Sequence, residues 1–125
     1  MTSLLVSGIV GVSYFILNAS PTTSLLPSSI RQCRSCQAAQ TLAADDFKAA
    51  NYQVIQWGLP DRDSPAFIQA ELLQRTYGIK TIFGGCVGPP IAECYDQHMR
   101  KLLSAKYGAT IYQEARNKAL KQAGY

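Results

Sequence analysis

Two short β-prone runs on either side of one amphipathic stretch constrain this chain more than any other feature. Tyr52 to Trp57 (YQVIQW) and Ile79 to Phe83 (IKTIF) are rich in β-branched and aromatic residues and contain no breaker. Between them Ser64 stands where an N-cap belongs and Pro65 takes the favoured first helical position. Phe67, Ile68, Leu72 and Leu73 supply an apolar face, and Gly78 stops the helix. Strand, helix, strand with short connections predicts a right-handed βαβ unit and a parallel pair. Two strands alone make a marginal sheet. The exposed edges therefore need a further strand, a covering helix or a second subunit.

The same patterning places a helix from about Ile30 to Ala49, opened by Ser28 or Ser29. Pro90 opens another, lined by Tyr95, Met99, Leu102 and Leu103 and ended by Gly108. Ile111, Ala115, Ala119 and Ala123 space a final amphipathic helix. A chain of 125 residues has room for one small core. With 47% hydrophobic and 16% charged residues it is too apolar for a disordered tail. It shows no repeat of solenoid or propeller period.

Residues 1–30 carry no charged side chain. Leu4 to Leu17 reads LLVSGIVGVSYFIL, and the uncharged run from Met1 to Ala19 reaches the ~17–25 residues a spanning helix needs. A membrane anchor over residues 1–20 is the favoured expectation. A cleaved signal peptide fits the length but lacks a basic n-region, and a buried core helix needs a partner surface. Ser3, Ser7 and Gly11 recur every four residues, a spacing that lets two membrane helices pack closely. Pro21 to Ser29 reads as a linker and residues 30–125 as a small domain. The expected architecture is thus α/β: an N-terminal transmembrane helix, then a βαβ parallel strand pair flanked by helices. Arg31 and Arg34 follow the anchor and no basic residue precedes it, which favours a single-pass protein with its globular part cytoplasmic.

The net charge of +4 is uneven. Residues 31–99 hold six basic and seven acidic side chains. Residues 100–125 hold Arg100, Lys101, Lys106, Arg116, Lys118 and Lys121 against Glu114 alone. Basic faces of two terminal helices account for this. Nucleic acid is not an expected partner, because no reading motif and no interleaved aromatics accompany the charge.

Ligands of such sheets gather beyond the carboxyl ends of the strands. The loop after the first strand carries Asp61 and Asp63, a spacing able to chelate a hard cation, with Arg62 between them opposing it. A solvated turn is the plainer reading. The loop after the second strand reads Gly84-Gly85-Cys86-Val87-Gly88 and leads into a helix start. Its glycines permit close backbone approach to a ligand or anion, and the helix N-terminus would favour a thiolate at Cys86. Cys86 is accordingly the candidate nucleophile, although no base stands beside it in sequence and a tight turn around an inert thiol explains the same residues.

Cys33 and Cys36 form a C-x2-C pair suited to redox chemistry or to half of a zinc site. Cys94 and His98, four apart on one helical face, could join Cys86 in a mixed zinc site. No cofactor other than zinc is suggested. An even count of four cysteines equally permits one or two disulfides, or small buried thiols.

Tyr77-Gly78-Ile79, Gly85-Cys86, Tyr95-Asp96-Gln97-His98-Met99 and Lys106-Tyr107-Gly108 resemble segments of uncharacterised small bacterial proteins with an N-terminal membrane segment. The resemblance covers about a quarter of the chain and implies no activity or site. The expected function is a non-catalytic, membrane-anchored protein acting through self-association or as an accessory subunit of a membrane complex. The alternatives are a thiol-dependent enzyme or redox carrier using Cys86 with Cys33 and Cys36, and a metal- or anion-binding module.

Overall fold

A computed structural model describes residues 26–58, 61–85 and 89–125. Five helices and two strands follow in the order α1 (Ser28–Arg31), α2 (Cys36–Lys48), β1 (Gln53–Gln56), α3 (Pro65–Tyr77), β2 (Lys80–Phe83), α4 (Pro90–Tyr107) and α5 (Ile111–Gln122). Local chemistry sets most of their ends. The Ser35 hydroxyl accepts the Ala38 N–H at 3.0 Å and starts α2. Ser64 does the same for Phe67 ahead of Pro65 in α3. Gly78, at φ 70°, closes α3 in the left-handed conformation, and its N–H and that of Ile79 take the carbonyls of Gln74 and Leu73.

The stretch expected as one helix from Ile30 to Ala49 is two. Ser35 satisfies the first free N–H groups of α2, so α1 ends as a single turn. Leu26, within the stretch read as a linker, is buried together with Ile30.

β1 and β2 pair in parallel, with Gln53, Val54, Ile55 and Gln56 opposite Lys80, Thr81, Ile82 and Phe83. α4 packs on α2 and stands against β1, while α3 packs on β2 and is backed by α5. The α2–α4 contact is close because the buried residues of α2 are Ala39 and Ala43, one turn apart. Tyr95, Met99 and Leu103 fill the centre from α4, each fully buried. At the rim, the Lys106 ammonium lies 5.5 Å from the centroids of Tyr52 and Tyr107.

The domain is mostly helical around a two-stranded parallel sheet, and this corrects the expected architecture. No helix among the described residues is long and apolar enough to cross a membrane. α4 is long enough at 18 residues, but it is amphipathic and carries Glu93, Asp96, Arg100, Lys101 and Lys106. The membrane, transmembrane-helix and single-pass expectations are accordingly corrected for the described residues, none of whose helices spans a membrane. Their proposed segment, residues 1–20 with Ser3, Ser7 and Gly11, lies outside the described residues.

Candidate functional site

The sheet's two outer edges are treated differently. Ladder bonds run through Tyr52, Val54 and Gln56 on β1 and Lys80, Ile82 and Gly84 on β2, so Ile55 turns its main-chain groups away from β2. α4 supplies what a third strand would. Asp96 Oδ1 accepts the Ile55 N–H at 2.6 Å, and Arg100 Nη2 donates to the Ile55 carbonyl at 2.9 Å. Arg100 Nε also donates to Asp96 Oδ2 at 2.8 Å, locking the pair. The guanidinium is held from its other side by the Tyr112 ring, 4.9 Å from the centroid. Burial pushes the Tyr112 phenol up to about 12; the Arg100 charge opposes that shift and Asp96 adds to it. The Tyr112 hydroxyl is buried with no hydrogen-bond partner among the described residues.

A second polar group ties β1 to both helices of the same side. Tyr95 donates its hydroxyl to Asp46 Oδ2 at 2.6 Å and accepts from Gln53 Nε2 at 2.9 Å. Burial, and then the Asp46 carboxylate, raise the Tyr95 phenol well above its ordinary range, so it stays a neutral donor. One residue each from α2, β1 and α4 meets here, and the network fixes their positions.

Among the described residues β2 has no such cover. Alternation turns the N–H and C=O groups of Thr81 and Phe83 outward, away from β1. Beside them opens a groove of about 360 Å³, lined from α3 by Phe67, Ala70, Glu71 and Gln74 and from β2 by Lys80 and Thr81. The α3 residues recur at helical spacing and form one stripe. Of the apolar side chains of α3 only Leu73 is fully buried. Phe67 stacks on Phe83 at 6.2 Å between centroids, with both rings half-exposed along the edge. The Thr81 hydroxyl is buried with no hydrogen-bond partner among the described residues. The arrangement sets a row of main-chain donors and acceptors beside a trough, chemistry able to receive an extended chain.

The sequence candidates fall elsewhere. Cys36 is bonded to Cys94 with 5.4 Å between Cα atoms, which staples the start of α2 to the first turns of α4. Cys33 is a free, half-buried thiol that donates to the Ser29 carbonyl at 3.4 Å. The C-x2-C pair is therefore not joined to itself, and the Cys94 sulfur near His98 is already bonded. Among the described residues no three His, Cys, Asp or Glu side chains converge as a metal site. Cys86 and Gly88 lie outside the described residues.

Gly84 and Gly85 serve the end of the sheet. A Cβ on Gly84 would sit 2.5 Å from the Trp57 ring, so the indole requires glycine there. Gly85, at φ 83°, gives its carbonyl to the Gly58 N–H at 2.7 Å. Asp61 and Asp63 are exposed at the rim of an open cavity of about 450 Å³ that Ala123 and Tyr125 also line. No family model, curated protein or solved structure matches the chain.

Sequence reasoning passed over the Asp96–Arg100 clamp, the Tyr95–Asp46–Gln53 network and the groove on α3. The four-residue spacing of Asp96 and Arg100 was visible, but such a pair usually marks a solvated helix face.

Proposed function

We propose that this chain is a non-catalytic, disulfide-stapled domain that works by self-association. The observation that supports it is the edge of β2, unpaired among the described residues, beside a half-buried face of α3, on a sheet whose other edge α4 closes. An uncovered edge of this kind attracts another chain, and stable monomers ordinarily blunt it. The disulfide belongs with this reading. It holds the α2–α4 layer rigid under a two-stranded sheet, and such bonds persist in oxidising compartments.

Sedimentation velocity on the oxidised full chain tests the proposal, with concentrations up to about 1 mM, the weak end of specific association. The proposal expects a concentration-dependent shift from monomer to a defined oligomer. A single monomeric species throughout would overturn it.

A further inference from the structure

Resting on that reading, we infer that the partner of the β2 edge is the same edge of a second copy, paired antiparallel about a two-fold axis at Ile82. The free edge is short and its limits are fixed. The Ile79 N–H is taken by Leu73 and the Gly85 carbonyl by Gly58, which leaves Thr81 and Phe83 as the residues that keep both main-chain groups outward and unpaired among the described residues. An antiparallel mate with Ile82 opposite Ile82 sets Thr81 of each copy against Phe83 of the other. Each such pair exchanges both N–H···O bonds, so one register satisfies the outward groups of Thr81 and Phe83 in both chains. The result is a four-stranded sheet in the order β1-β2-β2-β1, a common size for a stable sheet.

The groove fits the same operation. α3 runs back along the sheet, with Phe67 over Phe83 at one end and Gly78 leading into β2 at the other. Strands lie ~4.8 Å apart, so the two copies of α3, each above its own strand pair, would stand about 10 Å from one another. That is the spacing of packed helices. The stripe from Phe67 through Ala70 to Gln74 would then face its own copy, and each α3 would fill the trough beside the other.

Charge selects the antiparallel sense. Arg75 and Lys80 stand at the end of the edge where β2 begins, and Asp61 and Asp63 at the opposite end, where α3 begins. The two-fold sets the basic end of each copy beside the acidic end of the other, whereas a parallel mate would set like against like. Exposed Glu71 near the axis and Arg62 between the two aspartates are the unfavourable charges; Arg75 stands one turn from Glu71, and the Asp61-Arg62-Asp63 end keeps a net negative charge. The interface is isologous, so the assembly closes at two copies.

Sedimentation equilibrium of the oxidised full chain and its Thr81→Pro variant decides this. Proline removes one outward N–H, leaves the ladder to β1 intact and suits an edge strand. The expected result is a dimer whose dissociation constant rises at least tenfold in the variant. If the wild type self-associates and a folded Thr81→Pro variant does so equally well, the two-fold pairing is overturned while self-association stands. If the wild type is monomeric throughout, both fall, and a stoichiometry other than two overturns the pairing alone. Should Thr81→Pro fail to fold by circular dichroism, Lys80→Glu and Asp61→Lys replace it. Each alone weakens the dimer severalfold and the double variant restores it; simple addition of the two losses overturns the pairing.

Discussion

Arg100 donates to the main-chain carbonyl of Ile55 at 2.9 Å, and through that bond a helix side chain closes the edge of a β-strand. Asp96 completes the closure from one turn earlier, taking the Ile55 N–H. Two side chains four residues apart thus supply one acceptor and one donor to the residue whose backbone faces away from β2. This clamp makes the sheet one-sided among the described residues, and in the proposed function that one-sidedness directs association to β2.

Arg100→Met tests the clamp. It strips the Ile55 carbonyl of its donor and leaves Asp96, only 13% exposed, without its cation. The expected cost is about 1–3 kcal/mol in urea unfolding, the range for losing a partner of a buried polar group. Lys101→Met, on the exposed face of the same helix, should change stability by less than about 0.5 kcal/mol. The Arg100 variant should also aggregate more readily, since it opens the second edge.

The two raised phenols predict alkaline destabilisation. Tyr112 and Tyr95 keep their protons to higher pH in the folded chain than in the unfolded one, chiefly through burial. The unfolded chain therefore binds fewer protons above pH ~10, and stability falls as pH rises from there. The stabilisation is complete below that pH and, for Tyr112, is lost through about 12. Tyr112→Phe should shallow this decline in a pH series of thermal melts. Near neutrality it should leave stability unchanged or slightly raised, because the hydroxyl it removes is buried with no partner among the described residues.

Reduction tests the staple. Cys36 and Cys94 are 58 residues apart, so the bond removes much of the unfolded chain's freedom, worth roughly 2–4 kcal/mol. A Cys36→Ala/Cys94→Ala variant should lose that amount in denaturant unfolding. Peptide mapping after alkylation of the native oxidised chain should find Cys33 modified, and Cys36 and Cys94 modified only after a reductant is added.

Much of the secondary structure was legible because its signals are local. Ser64, Pro65 and Gly78 bound α3 through caps and a left-handed turn, and the β-branched runs mark both strands. The break between α1 and α2 was missed because the capping role of Ser35 competes with an otherwise unbroken apolar rhythm. The proposed association surface was not legible, since the half-buried stripe of α3 looks in sequence like any core-facing stripe. Only the packing of α4 on β1 shows which edge is left open among the described residues. The cysteine pairing was closed to sequence for a related reason: several pairings of four cysteines are possible, and proximity in space selects Cys36 and Cys94. The uncharged N-terminal run drew the architecture towards a membrane anchor, whereas the described helices each keep a polar face.

Amide hydrogen exchange at Thr81 and Phe83, followed by NMR as the oxidised chain is concentrated, tests the central claim most directly. Their N–H groups point away from β1 and have no partner among the described residues of a single copy. Self-association through β2 predicts that both become protected together as concentration rises, in step with the dimer population, while Val54 on the inner ladder stays protected throughout. Fast exchange at Thr81 and Phe83 under conditions where the chain is oligomeric would contradict the account.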